Sequence, residues 1–515
     1  MKAHLRGKAQ AKKVAAVMSQ AVALQGRGDL LQALSLCAQA LLFDSRHFDA
    51  LNLAGAIAYQ LKQYAIAEDF LRKALEASPS DARAHCNLGL VLCQVNSLDT
   101  SLVHFQKAIS LRPDWAEPYA NMAQALGMLR RYEEAILCYD RAISLQSAAA
   151  NLYGYRGQFK TEVGAYADAA NDFDLAIELN ADLVDVHWNR SLNWLRQGLY
   201  AQGWTEYEWR WRRAETRPFS EDLGLPLWMG KESLAGKTIL IHCEQGLGDT
   251  LQFCRYLAAI KVQGAKVVFV VQRCLRSLLE DLVGVDLLLS NGDPLPHCDY
   301  IVPLLSLPLI FGTKVNSIPA QPSYIKANSD RLAKWQAQIG PKTAPRIGLV
   351  WRGNANHGND FARSVNLADL VSSLPLGPQY VSLQKGMTPA DRAALASRSD
   401  ILDISDSLHD FADTAAVCTL TDVVVSVDTS VAHLAGALGH PVWILLPFNP
   451  DWRWLLDRED SPWYPSAKLY RQGQRDAWND VFERIHADLA AMCNLRPKVC
   501  NQSPDKDFNG GKFVS

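Results

Sequence analysis

The sequence predicts two architectures in tandem, an all-helical repeat solenoid followed by an α/β half built from two lobes. Three observations predict it. Small and aromatic residues recur at a spacing of 34 through the first 210 or so positions, Pro and Gly then break every helical period between Arg217 and Gly236, and short apolar runs alternate with helical stretches from there on. At 515 residues the chain is also too long for one core, and length alone suggests domains of ~150 residues.

The repeat is read from its columns. Ala33, Ala67, Ser101, Ala135, Ala169 and Gly203 share one column, and Ala40, Ala74, Ala108, Ala142 and Ala176 share another. Leu71, Phe105, Tyr139, Phe173 and Tyr207 lie between them, while Gly55, Gly89 and Gly157 mark a close approach in the first helix of a pair. Pro79 and Pro113 end their second helices. Small residues let paired helices touch and bulky ones fill the gap to the next pair, so each unit buries its apolar face by stacking on its neighbour. Six copies are expected from about Lys13 to Trp211. The last runs into the aromatic and charged stretch Gly203–Arg212, with Arg210 where the others have Ala, read either as a cap docking on the downstream half or as the plain end of the solenoid. His85, His104 and His187 are isolated in sequence and are expected to be packing or surface residues.

Composition excludes several classes. With 52 Lys+Arg against 54 Asp+Glu there is no global field for nucleic acid or anionic lipid. Eleven cysteines without a Cys-x-x-Cys pair or a zinc-spaced Cys/His cluster argue for a reduced, cytoplasmic protein rather than a disulfide framework. No signal-type or membrane-spanning apolar segment is present, so secretion and a transmembrane segment are not expected.

Strands are predicted at 238–241, 266–271, 285–289, 300–302, 346–351, 379–383, 401–404, 423–427 and 442–446. Unbroken Val/Ile/Leu runs between helices argue for parallel sheets covered on both faces, in two Rossmann-like lobes. The expected domains are a solenoid over 1–215, a linker over 216–236, a first lobe over 237–340, a second over 341–493 and a disordered tail over 494–515. Ligands of such sheets collect beyond the carboxyl ends of the strands. The cleft should therefore be lined by the loops at 245–250, 352–363, 384–387 and 428–433.

Each loop holds a candidate. The strand ending at Ile241 breaks into a turn with Gly246 and Gly248, and Asp249 opens the helix after it, where a carboxylate faces the cleft. The Trp351–Ser364 loop is long, polar and rich in amides, with Arg352, Asn354 and Arg363 as candidate ligands, and Gln384 and Lys385 follow the next strand. Asp428, Thr429 and Ser430 precede an Ala-rich helix carrying His433, a helix start suited either to a diphosphate or to an ordinary cap over a packed histidine. Gly-x-Gly-x-x-Gly, Gly-Lys-Ser/Thr and Gly-x-Ser-x-Gly are all absent, which weakens dinucleotide, phosphate-loop and serine-hydrolase readings. Phe448–Trp454 and Ser461–Pro465 form an aromatic loop region, read as a stacking platform for a base or sugar or as a clasp between lobes.

The repeat columns resemble the tetratricopeptide repeat (TPR). The Gly246-Leu247-Gly248-Asp249 turn, the Trp351–Ser364 loop and the block Asp428-Thr429-Ser430-Val431-Ala432-His433 resemble the heptosyltransferase-like branch of GT-B glycosyltransferases, and the whole is similar in architecture to O-GlcNAc transferase and repeat-bearing flagellin glycosyltransferases. That resemblance implies a TPR α-solenoid before a GT-B pair of lobes, with Asp249 as catalytic base and Arg363, Asp428, Thr429, Ser430 and His433 at the donor. A lysine after a comparable strand of O-GlcNAc transferase implies a diphosphate contact for Lys385, while Gln384 is a donor-side candidate by its position after the strand alone. It implies an inverting, metal-independent transfer from a nucleotide-sugar to a hydroxyl of a protein acceptor held by the repeats, with no cofactor and no nucleic acid. Competing readings are a non-catalytic repeat adaptor and a transferase acting on lipid or polysaccharide.

Overall fold

The computed structural model describes residues 2–213, 223–319, 321–355 and 358–494, and the chain divides at Thr216 and Arg217 into two compact units. The tail beyond Asn494, the first part of the expected linker, and Asn356 and His357 of the amide-rich loop lie outside the described residues.

Among the described residues the first unit holds twelve α-helices in six antiparallel pairs, α1 to α12: Lys2–Gly26, Leu30–Phe43, Phe48–Gln60, Tyr64–Ala77, Ala82–Gln94, Leu98–Leu111, Ala116–Met128, Tyr132–Leu145, Ala150–Glu162, Tyr166–Leu179, Val184–Arg196 and Tyr200–Tyr207. The small columns are fully buried where the pairs touch, as at Ala67, Ala135 and Ala142. A Cβ on Gly89 would lie 2.6 Å from the Phe105 ring, so the glycine lets α5 and α6 close over it. One column escapes the sequence. Gly28, Lys62, Asn96, Arg130, Gly164 and Gly198, each 34 after the last, all turn with positive φ between the helices of a pair. Only three are glycine, and the left-handed conformation costs the other three about 1–2 kcal/mol each.

The histidines are less solitary than their spacing suggests. His85 Nδ1 and His104 Nδ1 share a hydrogen bond of 2.9 Å, and burial beside His85 lowers the pKa of His104. His187 bonds Glu206 at 2.5 Å and stacks on Trp209 at 3.5 Å. These are packing roles, as expected. The Arg210 that replaces alanine is fully buried, bonds Glu208 at 2.5 Å and stacks on Trp211, so the aromatic stretch closes over the last repeat.

Among the described residues the second unit contains two sheets whose strands all pair in parallel, with one isolated antiparallel bridge from Asp460 to Lys468. Strands β1 to β4 (Thr238–His242, Lys266–Val271, Leu287–Ser290, Tyr300–Pro303) are ordered β3-β2-β1-β4. Strands β5 to β10 (Arg346–Val350, Gln379–Ser382, Ile401–Asp403, Val423–Val427, Val442–Leu446, Ala467–Arg471) are ordered β10-β9-β8-β5-β6-β7. Both orders reverse beside their first strand, the switch point of doubly wound sheets. All nine predicted strands are present, and β10 is an addition at the sheet edge. The helices that flank the sheets and build the site include α13 (Leu247–Phe253), α14 (Leu257–Val262), α15 (Ser329–Ile339), α16 (Leu367–Ser373), α17 (Pro389–Ala396), α18 (Phe411–Thr419), α19 (Ser430–Ala437) and α20 (Asn479–Asn494). Leu240, Val268 and Ile301 centre the first core, and Ile347, Val425, Val427, Val481 and Ile485 the second. Each such buried side chain contributes ~1.5–3 kcal/mol.

Two boundaries differ from expectation. The end of the expected linker is packed, because Leu227 bridges to Ile301 at the edge of β4, Trp228 is buried and its indole donates to the Glu232 carbonyl at 3.0 Å. Helix α15, expected in the first lobe, packs on α18 of the second, where buried Trp335 donates to Asp413 at 2.8 Å. The chain therefore changes lobe before α15, at Tyr324 and Ile325, whose amides both donate to the Ala437 carbonyl.

Candidate functional site

The two lobes meet at the carboxyl ends of their strands. From the first lobe, the loop after β1 closes with Gly246 and opens α13, and a Cβ on Gly248 would lie 2.6 Å from Cδ2 of His433 on α19. That glycine is what allows a turn of one lobe to rest on a helix of the other. Tyr324 Oη donates to the Leu251 carbonyl at 2.8 Å. Buried Arg255 donates to the Trp463 carbonyl at 2.7 Å and to Tyr324 Oη at 2.8 Å. Phe253 packs edge-on against Trp463 at 5.5 Å and parallel to Trp452 at 6.3 Å. Of the two readings of the aromatic loops, the clasp between lobes is the one seen.

Asp249 sits at this seam. Its Oδ2 accepts from the Gly246 amide at 2.8 Å, a capping-box contact, and its Oδ1 is ion-paired with Arg453 of the second lobe. Arg453, in the short turn after β9, also bonds Asp451 at 2.8 Å and stacks on Trp452 at 4.3 Å. Sequence reasoning passed over both Asp451 and Arg453, whose only signal was charge set between aromatics.

Asp428, at the end of β8, is buried, and burial together with nearby Asp451 raises its pKa to about 6 against the opposing pull of Arg363 and Arg453. Arg363 donates to the Asp428 carbonyl at 3.0 Å and is held by Asp360 at 3.2 Å. His433 Nδ1 bonds Tyr464 Oη at 2.9 Å, its Nε2 lies 3.8 Å from Asp428, and burial followed by Arg453 lowers its pKa to about 3, so the ring is neutral at neutral pH. Thr429 precedes α19 without capping it through its side chain, and its hydroxyl instead meets Ser426 Oγ at 3.0 Å. Ser430 is half-buried at the first position of α19.

Arg352, Gln384 and Lys385 form a separate group. Gln384 Oε1 accepts from the Trp351 and Arg352 amides at 3.2 and 3.0 Å, and its amide donates to the Lys385 carbonyl, so the side chain ties the ends of β5 and β6 together. Arg352 is ion-paired with Asp391 at the start of α17. Lys385 is exposed and reaches the Leu408 carbonyl at 2.5 Å. Asn354 is exposed in the loop after β5. Asp249, Arg363, Asp428 and His433 thus share one electrostatic cluster with Arg453 and Asp451, whereas Arg352 and Gln384 are committed to holding strand ends.

A concavity of about 420 Å³ lies elsewhere, between α16 and α20, lined by Asp369, Ser373, Phe482 and His486. His486 there already bonds the Ser373 carbonyl at 2.7 Å. It lacks the opposed carboxylates and guanidinia of the seam, which is the stronger candidate. No group of three or more His, Cys, Asp or Glu side chains arranged to hold a metal ion occurs among the described residues. No described helix is long and apolar enough to cross a membrane.

Comparison with known proteins bears on the first unit most directly. The tetratricopeptide-repeat family model matches residues 48–81 and 116–148. The chain is 26% identical over 324 residues to Protein FlbA of Caulobacter vibrioides, covering 57% of this chain and 53% of FlbA, so it spans about half the length of that curated relative. Among solved structures, pilF of Pseudomonas aeruginosa is similar at 16% identity and a TM-score of 0.37, covering 42% of this chain and 97% of that one. YrrB, described as a TPR protein with an unusual peptide-binding site, is similar at 22% identity and a TM-score of 0.29, covering 33% and 88%. Six helix pairs at the 34-residue period, with the family model matched within them, make the first unit a tetratricopeptide-repeat solenoid.

Proposed function

We propose that the α/β half is a glycosyltransferase of the GT-B kind, moving a sugar from a nucleotide-sugar to a hydroxyl of a protein recruited by the repeats. The observation that carries this reading is the meeting of Asp249 from the first lobe with Arg363, Asp428, His433 and Arg453 from the second, at the carboxyl ends of two parallel doubly wound sheets. Asp249 takes the hydroxyl proton as the acceptor oxygen bonds to the anomeric carbon, and the bond to the diphosphate breaks with its electron pair leaving on the diphosphate, giving inversion. Arg363 and the start of α19 meet the charge on that leaving group without a metal ion. The cytoplasm, where nucleotide-sugars are made, is the compartment this chemistry suits.

A second reading has one observation in its favour. Both oxygens of Asp249 are already engaged, by Gly246 and Arg453, as suits a binding module that no longer transfers. Thermal-shift screening of nucleotide-sugars identifies a donor, since a ligand of the native state raises the melting temperature. With that donor, Asp249→Asn is expected to lower turnover by about 10²-fold or more while donor binding is retained. Undiminished turnover removes Asp249 as the base, and a donor that binds without being transferred by the unaltered protein favours the binding module.

A further inference from the structure

Arg453 holds an unusual position. One end of its guanidinium pairs with Asp249 across the seam, the other bonds Asp451 at 2.8 Å, and its face lies on Trp452. It is thus a buried cation shared between carboxylates of both lobes, with Asp428 also within its field. The carboxylate best placed to accept a proton is thereby engaged at both oxygens. The cation best placed to meet an anion entering between the lobes is occupied by that same contact.

We propose that Arg453 is an exchangeable cation: it pairs with Asp249 and passes to the diphosphate of a donor on binding, freeing one oxygen of Asp249. This rests on the transferase reading and deepens it, since it couples release of the base to arrival of the donor. A dianion offers more oxygens and more charge than one carboxylate, and guanidinium binds phosphate in bidentate fashion. The lobes do not depend on the pair that breaks. Arg255 with the Trp463 carbonyl, Tyr324 with the Leu251 carbonyl, and Ser277 with Asp410 at 2.8 Å span the same seam. Asp249 stays in register as well, because its other oxygen remains on the Gly246 amide. Arg453 acts on the reaction by positioning, through the carboxylate it covers and the anion it accepts.

The test is calorimetric titration of inorganic pyrophosphate into the full chain and three variants. Removing the competing carboxylate with Asp249→Asn is expected to tighten pyrophosphate binding about five-fold, the scale of one partly buried ion pair. Arg453→Gln is expected to weaken it about ten-fold or more, and Arg453→Lys to restore part of that loss. A merely structural pair predicts the opposite for Asp249→Asn, because either substitution then loosens the seam and weakens binding. If the unaltered protein binds pyrophosphate and Asp249→Asn binds it equally or less well, the exchange is overturned while the transferase reading stands. If neither protein binds it, the diphosphate site falls and the exchange with it. Binding by Asp249→Asn alone supports the exchange.

Discussion

Asp428 carries the least comfortable charge in the cleft. Its carboxyl is raised from 3.8 to about 6 by burial and by Asp451. Between those values the native protein holds more protons than the unfolded chain, so the stability this group contributes is complete at the acid end and is lost as pH rises through about 6. Asp428→Asn should therefore gain stability over the unaltered protein as pH rises from about 4.5 to about 7.5, by about 2 kcal/mol. Urea denaturation at the two pH values measures this, and a pH-independent difference would show that the carboxyl ionises alike folded and unfolded. His433 drives the opposite trend, its lowered pKa costing stability as pH falls, and because its Nε2 lies 3.8 Å from Asp428, His433→Gln with and without Asp428→Asn separates the two contributions. Asp428 and His433 were legible because they sit in one block at a strand end. Arg453 was not, since it lies 204 residues from Asp249 in sequence and nothing local marks it as reaching the other lobe.

The helices of the seam show why a residue's register matters as much as its chemistry. Gly248 lies over His433 so closely that a methyl group at its Cβ position would meet the ring at 2.6 Å. Gly248→Ala should push α13 off α19 and cost about 1–3 kcal/mol, as overpacking does. Thermal denaturation reads it directly, and an unchanged melting temperature would mean that the turn gives way freely. At this scale the sequence was informative where strands were near-continuous apolar runs rich in Val, Ile and Leu, as at β2, β8 and β9. It was silent at β10, where Lys468 and Arg471 interrupt the apolar pattern at the sheet edge and Lys468 pairs with Asp488 of α20. Helix α15 follows the first lobe in sequence yet packs on the second, because its partner Asp413 lies 78 residues from Trp335 and nothing local marks the pairing.

For the whole molecule, the division at Thr216 and Arg217 implies that each unit holds its own core. A chain lacking the solenoid should keep pyrophosphate binding and donor hydrolysis but lose transfer to protein by roughly a hundred-fold, because tethering a substrate raises its effective concentration. Parallel assays on protein and on a small hydroxyl acceptor separate the two, and equal losses would leave the repeats a structural role only. Within the solenoid the seams between repeats are not equivalent. One column runs Ala54, Leu88, Met122, Arg156, Arg190. Arg156 grips Asp172 of its own repeat and Asp140 of the one before, and Arg190 repeats the grip on Glu206 and Asp174. Apolar seams weaken on cooling, whereas ionic ones weaken with salt. The downstream seams keep apolar packing of their own, around Tyr153, Phe173 and Val186, so cooling should loosen every seam, while salt should act further on the downstream ones through the half-exposed outer partners Asp140 and Asp174.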